Sequence, residues 1–240
     1  MIFYLCTSLP VVAVFTFSEY VRFVSMNTVT HWRGKILGLS AAFIGDSITA
    51  GGRCWGTKIG DDPFAAINLG ADGSTVRQIK AQLNRAARYK PHTLFILAGT
   101  NDILAQGSEF DIEQFERDYR ELLVFAATNA QIVVVTLIPF TSSSGHSMPI
   151  DRANAVILEL CLEQKVRCVD LNPELAPEGV LLPQFTVDGV HFSRAAYQIW
   201  SGLLKSAAKP AQAQQDSLAN WGRPIYRQPN LSALTADFKK

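Results

Sequence analysis

Cysteine and histidine are both scarce in this chain, four of each in 240 residues, and that scarcity narrows the chemistry. Cys6, Cys54, Cys161 and Cys168 show no C-x-x-C spacing and have no histidine at metal-site distance, so neither a zinc site nor a disulfide framework is written in them. They read as buried free thiols, with Cys161 and Cys168 able to pair only where the fold brings them together. Charge imbalance is missing too. Lys and Arg number 22 against 21 Asp and Glu, a formal net charge of +1, which offers neither the basic surface of a nucleic-acid binder nor an acidic solvating tail. There is no Walker loop, no dinucleotide glycine fingerprint and no H-E-x-x-H zinc motif. No period of internal repetition is visible.

Residues 1–18 lack charge altogether and are mostly apolar. As a helix they reach about 27 Å, just short of a bilayer core. The early positive charge and small-residue cleavage site of a secretory signal are absent, and Pro10 interrupts the run. Arg22, Arg33 and Lys35 follow it, an order that leaves the main domain cytoplasmic if the segment spans. The readings open here are a membrane anchor, an atypical export signal, a helix packed on the domain, or a true start at Met26. The expectation is an apolar N-terminal segment over 1–30 that associates with membrane through 1–18; a cytoplasmic or exported protein is the alternative.

What is present is alternation. Apolar runs at 41–44, 64–68, 93–97, 131–137 and 166–171 read as strands. Between them lie amphipathic stretches, one carrying Val76, Ile79, Leu83 and Ala86 and another Ile112, Phe115, Tyr119, Leu122 and Leu123 at three-and-four spacing. A further helix is expected over about 151–163, and a last one after Ser193. Strands separated by helical crossovers imply a doubly wound parallel α/β sheet over 34–208. From 209 to 240 Pro, Ala, Gln, Asn and Ser dominate, the composition of a loosely ordered tail.

In such a sheet the carboxyl ends of the strands share one edge. Gly45-Asp46-Ser47, Asn68-Leu69-Gly70 and Gly99-Thr100-Asn101-Asp102 each follow an apolar run, and Asp188-Gly189-Val190-His191 comes late. Each has an ordinary reading as a turn or a helix cap. Together they supply an acyl-transfer site: a serine, a histidine to take its proton, an acid to fix the ring, and donors for an oxyanion. Of the four histidines, His31 lies beside the N-terminal segment and His92 precedes a strand. His146, in a Ser/Gly-rich loop, is the one rival to His191 as base.

These blocks resemble those of the SGNH hydrolases, the GDSL-type lipases and esterases: Gly45-Asp46-Ser47-Ile48, Asn68-x-Gly70-x-x-Gly73, Gly99-x-Asn101-Asp102 and Asp188-x-x-His191. Ile48 replaces the usual leucine. The resemblance covers about 36–206. It implies a flavodoxin-like three-layer α/β/α sandwich with a five-stranded parallel sheet, Ser47 as nucleophile, Asp188 and His191 completing the triad, and Ser47, Gly70 and Asn101 as the oxyanion hole. It implies no cofactor and no metal, and no nucleic-acid partner. The substrate it implies is a small-molecule or carbohydrate ester, with short acyl groups such as acetyl expected. Lysophospholipase or thioesterase action is an alternative, as is a non-catalytic carbohydrate-binding or scaffold protein. The G-x-S-x-G elbow of another hydrolase scaffold is excluded, because Thr49 stands where its second glycine belongs.

Overall fold

The structure, a computed structural model, describes residues 28–209. The segment expected over 1–30, save its last three residues, and the tail from 210 onward lie outside the described residues. The strands are β1 (Ala41–Gly45), β2 (Ala66–Asn68), β3 (Thr93–Leu97), β4 (Ile132–Thr136) and β5 (Arg167–Val169). They form one parallel sheet in the order β2-β1-β3-β4-β5. This is the flavodoxin-like order, in which the chain reverses direction across the sheet between β1 and β3.

The helices follow from pattern and sheet together. They are α1 (28–37), α2 (Ser47–Gly51), α3 (Trp55–Ile59), α4 (Val76–Ala87), α5 (Thr100–Gln106), α6 (Ile112–Asn129), α7 (Ser147–Gln164), α8 (Asn172–Leu175) and α9 (Arg194–Ala207). Strand side chains alternate between two faces. Ala42, Ile44, Leu94, Ile96, Val133 and Val135 pack under α4, α6 and α7. Ala41, Phe43, Phe95, Leu97 and Val134 pack under α3, α8 and α9. Both faces are therefore dry, which is why β3 and β4 read as unbroken apolar runs. On the second face Phe43 stacks on Trp55 at 4.7 Å and on Phe95 at 4.5 Å between ring centroids.

Three boundaries differ from expectation by more than one residue. β2 begins at Ala66 because Phe64 and Ala65 form a turn closed by Ala65 N–H to the Asp62 carbonyl. β5 ends at Val169, where the Asp170 carboxylate turns the chain by accepting the Asn172 N–H at 2.9 Å. α7 starts at Ser147, four residues early, since Pro149 lies in its first turn, where a missing N–H costs nothing. The fold does bring Cys161 and Cys168 together: a thiol hydrogen bond to Cys161, and burial, push Cys168 well above the ordinary thiol range, and no disulfide joins them.

Candidate active site

Ser47 stands immediately beyond β1, at the first position of α2. The N-cap is Asp46, whose Oδ1 accepts the Ile48 N–H at 2.9 Å. Ser47 is thus part of a helix start rather than a free loop, and its own N–H, in the first turn, has no acceptor within the helix. Asp46 is fully buried and its Oδ2 has no hydrogen-bond partner. Burial, partly offset by the Ile48 N–H, raises its carboxyl to about 6.

Three side chains from outside the helix fasten α2. The Tyr197 hydroxyl donates to the Ile48 carbonyl at 2.7 Å, and the Trp55 indole N–H donates to the Thr49 carbonyl at 3.0 Å. The Asn68 amide reaches the carbonyls of Thr49, Ala50 and Arg53 at 3.1–3.2 Å. Behind the strand end, buried Gln82 acts as a short artificial strand. Its Oε1 accepts the Gly45 N–H and its Nε2 donates to the Gly45 carbonyl, both at 2.8 Å. Replacing Gln82 by leucine strands the buried Gly45 N–H, whereas the Gly45 carbonyl keeps the Ala71 N–H at 3.0 Å. We expect a loss of about 1–3 kcal/mol, read by chemical denaturation, the cost of one unsatisfied buried group. A loss under about 1 kcal/mol would show that the strand end holds without the amide.

Ser47, His191 and Asp188 meet. Ser47 Oγ lies 2.8 Å from His191 Nε2, and His191 Nδ1 lies 2.6 Å from Asp188 Oδ2. The other carboxylate oxygen, Oδ1, accepts the backbone N–H groups of His191 at 2.8 Å and Val190 at 3.0 Å. Burial alone pushes Asp188 up, but the His191 and Val190 N–H groups and the His191 ring outweigh it and hold the carboxyl below its usual value. The 186–191 turn is itself pinned. Thr186 Oγ1 donates to the His191 carbonyl at 2.8 Å, and the Gly189 carbonyl accepts the Ser142 N–H at 2.8 Å.

The other histidines lie elsewhere. His146 Nδ1 lies 3.1 Å from Thr141 Oγ1, within the loop that braces the His191 turn. His31 bonds the Tyr89 hydroxyl, and the His92 backbone pairs with Leu39 at the amino end of the sheet. Among the described residues no three His, Cys, Asp or Glu side chains gather as a metal site.

The expected oxyanion donors are placed unevenly. Asn101 is not a cap, since Gly99 is the N-cap of α5 and Asn101 its second residue. Its Nδ2 donates to the Ser74 carbonyl at 3.1 Å, leaving one amide proton uncommitted. Gly70 is different: its N–H already donates to Asn68 Oδ1 at 3.0 Å. A Cβ there would stand 2.6 Å from the Ala50 backbone nitrogen, so Gly70 is a glycine because α2 passes against it. Gly73, at φ +70°, has nothing within 4 Å of a Cβ position and so borders open space, one residue from the carbonyl that holds Asn101. Gln82 was not singled out from the sequence, and Asn68, read there as part of a block, was given no role in holding α2. The available signal was a polar residue set among the apolar positions of α4, beside Ile79 and Leu83.

A model of the GDSL-like Lipase/Acylhydrolase family matches residues 43–199. The chain is similar in structure to a GDSL-like lipase from Bacteroides thetaiotaomicron, with 23% identity over 82% of this chain and 100% of that one, TM-score 0.64. It is also similar to an acetyl xylan esterase from Geobacillus stearothermophilus, with 21% identity over 72% and 96%, TM-score 0.60. At these identities the likeness is one of fold. Curated relatives are N-acylneuraminate cytidylyltransferases of Streptococcus agalactiae, serotypes V and III, each 25% identical over 104 residues that make up 42% of this chain. The match spans 24% of the length of those relatives.

Proposed function

From the chain's membership of the GDSL-like lipase/acylhydrolase family, we propose that it is a serine hydrolase of carboxylic esters, acting on short acyl groups carried by a sugar or other small alcohol. One observation carries this reading: the unbroken line from Ser47 Oγ to His191 Nε2 at 2.8 Å and from His191 Nδ1 to Asp188 Oδ2 at 2.6 Å. A serine hydroxyl is a weak nucleophile until a base takes its proton. His191 takes it as Ser47 Oγ bonds to the ester carbonyl carbon, and Asp188, anionic, holds the ring in the tautomer that leaves Nε2 free to accept.

The carbonyl oxygen gains the negative charge. The donors proposed for it are the Ser47 N–H, the uncommitted Asn101 amide proton and the Gly73 N–H. Gly73 replaces Gly70 in this set because the Gly70 N–H is spent on Asn68. When the tetrahedral intermediate collapses, the C–O bond to the alcohol breaks and the alcohol leaves with the proton from His191. A water, deprotonated by His191, then attacks the acyl-serine, and its second collapse frees the acid and restores Ser47 Oγ–H.

Two features support a short acyl group. Two of the connections leaving the carboxyl edge are brief: Asp46 alone separates β1 from α2, and Ala98-Gly99 separate β3 from α5. The Geobacillus relative is named for acetyl xylan and the streptococcal relatives for an acylneuraminate, both acyl-bearing saccharides. The test is a panel of acetylated sugars, nitrophenyl esters of rising chain length, lysolipids and acyl-thioesters. Acetyl and propionyl esters are expected to exceed octanoyl by about tenfold or more in kcat/KM, and a fluorophosphonate is expected to label Ser47. A preference for long chains or thioesters would move the reading to lysophospholipase or thioesterase. No turnover together with no labelling would leave a carbohydrate-binding protein on the same fold.

A further inference from the structure

Helix α1 presents an apolar face that the rest of the described chain leaves uncovered. Val29, Trp32 and Ile36, at three-and-four spacing, are 50%, 63% and 77% exposed, and Leu37 beside them is 74% exposed. The opposite side is seated: Thr30 is 2% exposed, and a Cβ on Gly34 would stand 2.9 Å from Leu39 and Tyr89. Scattered single apolar residues on a surface need no explanation, but a Trp-centred stripe along one helix does. The ionisable residues of 28–37 are His31, Arg33 and Lys35, with no acid among them. Lys35 Nζ lies 5.5 Å from the Trp32 ring centre, whereas Arg33 is paired with Asp62. Upstream in the same chain run 27 residues, of which 1–18 carry no charge.

We infer that α1 lies on a lipid surface with Val29, Trp32 and Ile36 in the headgroup boundary, and that it holds the catalytic edge away from that surface. An apolar stripe with a tryptophan, bordered by basic residues, is the pattern of a helix lying in the membrane interface. The basic bias suits anionic headgroups. The uncharged run upstream makes lipid, rather than a second copy, the occupant of this face.

Orientation follows from what α1 touches. His31 bonds Tyr89, Arg33 bonds Asp62, and Gly34 meets Leu39 and Tyr89. Leu39, Asp62 and Tyr89 precede β1, β2 and β3 respectively, so α1 is fixed to the amino edge of the sheet. Ser47 is beyond the carboxyl end of β1, five residues and about 16 Å further on. A bilayer under α1 leaves the ester to be taken from water. This second half rests on the proposed ester-hydrolase site; the first does not.

The test uses the full chain with vesicles of phosphatidylcholine, alone and with phosphatidylglycerol. Cosedimentation is expected to be stronger with the anionic lipid. Brominated lipid is expected to quench a fluorescence component that Trp32→Phe removes, Trp55 and Trp200 being buried. The double variant Trp32→Glu/Ile36→Glu is expected to bind at least about tenfold more weakly, with soluble-ester turnover unchanged. Equal binding by the double variant, or no binding by the parent, overturns the lipid contact. So does a dimer in solution that the double variant dissociates. Hydrolysis of a bilayer-embedded acylglycerol that speeds up on binding overturns the orientation alone. Loss of all esterase activity with vesicle binding intact overturns the enzymatic reading and leaves the lipid contact standing.

Discussion

Replacing His191 with alanine is expected to lower turnover of a soluble acetyl ester on the order of 10⁴- to 10⁶-fold, and Ser47→Ala by a similar factor. His146→Ala is expected to alter it only a few-fold, on the order of 2–5. The contrast rests on geometry. His191 Nε2 lies 2.8 Å from the Ser47 hydroxyl, whereas the His146 ring is engaged by Thr141. Residues acting as one unit do not add, so the Ser47→Ala/His191→Ala double variant is expected to be no slower than either single one. Folding is not the issue, because the His191 side chain is 36% exposed and lies outside both apolar cores.

The pH profile supplies a second reading of the same assignment. Asp188 is held below its usual value, so the folded enzyme keeps it charged down to a lower pH than an unfolded chain does. Its protonation therefore removes activity only below the ordinary carboxylate range. That acid loss is expected to be missing from the residual rate of His191→Ala, in which Asp188 has no ring to orient. A near-parental rate in His191→Ala with a collapse in His146→Ala would move the base to the 141–146 loop.

The strands were legible where burial on both faces made the sequence monotonous. The run at 93–97 matches β3 residue for residue, and β4 lies within the run read for it. Short helices were not: α2, α3 and α8, of four or five residues, are too brief for a 3.6-residue period to show. α2 exists because the Asp46 cap and bonds from Asn68, Trp55 and Tyr197 hold it. Ser47 was expected at the carboxyl edge because a parallel sheet sends its strand ends there; Asp188 and His191, which follow no strand, were expected beside it from the resemblance of their block. The state of the Gly70 N–H was not readable. It depends on the rotamer of Asn68 two residues earlier, and a sequence carries residue type rather than rotamer. Gln82 was passed over for a related reason: an amide on a helix reads as solvent-facing until a strand end needs its two groups.

Asn101 offers the sharpest separation of chemistry from scaffolding. As an oxyanion donor it acts only when charge develops on the carbonyl oxygen, so Asn101→Ala is expected to lower kcat about 10²- to 10³-fold with little change in KM. As scaffolding it has one identified task, the bond from Nδ2 to the Ser74 carbonyl at 3.1 Å. Losing that bond alone costs about 1 kcal/mol and a few degrees of melting temperature. It would also let residues 73–74 drift, which weakens substrate binding and raises KM. The helix-cap role is already taken by Gly99, so no capping loss adds to the scaffold cost. Fluorophosphonate labelling separates the two further, because the Ser47–His191 pair is intact in the variant and labelling at Ser47 should persist at a reduced rate. If Asn101→Ala keeps a near-parental kcat while melting several degrees lower or binding substrate more weakly, the side chain is a strut for the 73–74 turn, and the oxyanion must rest on backbone N–H groups alone.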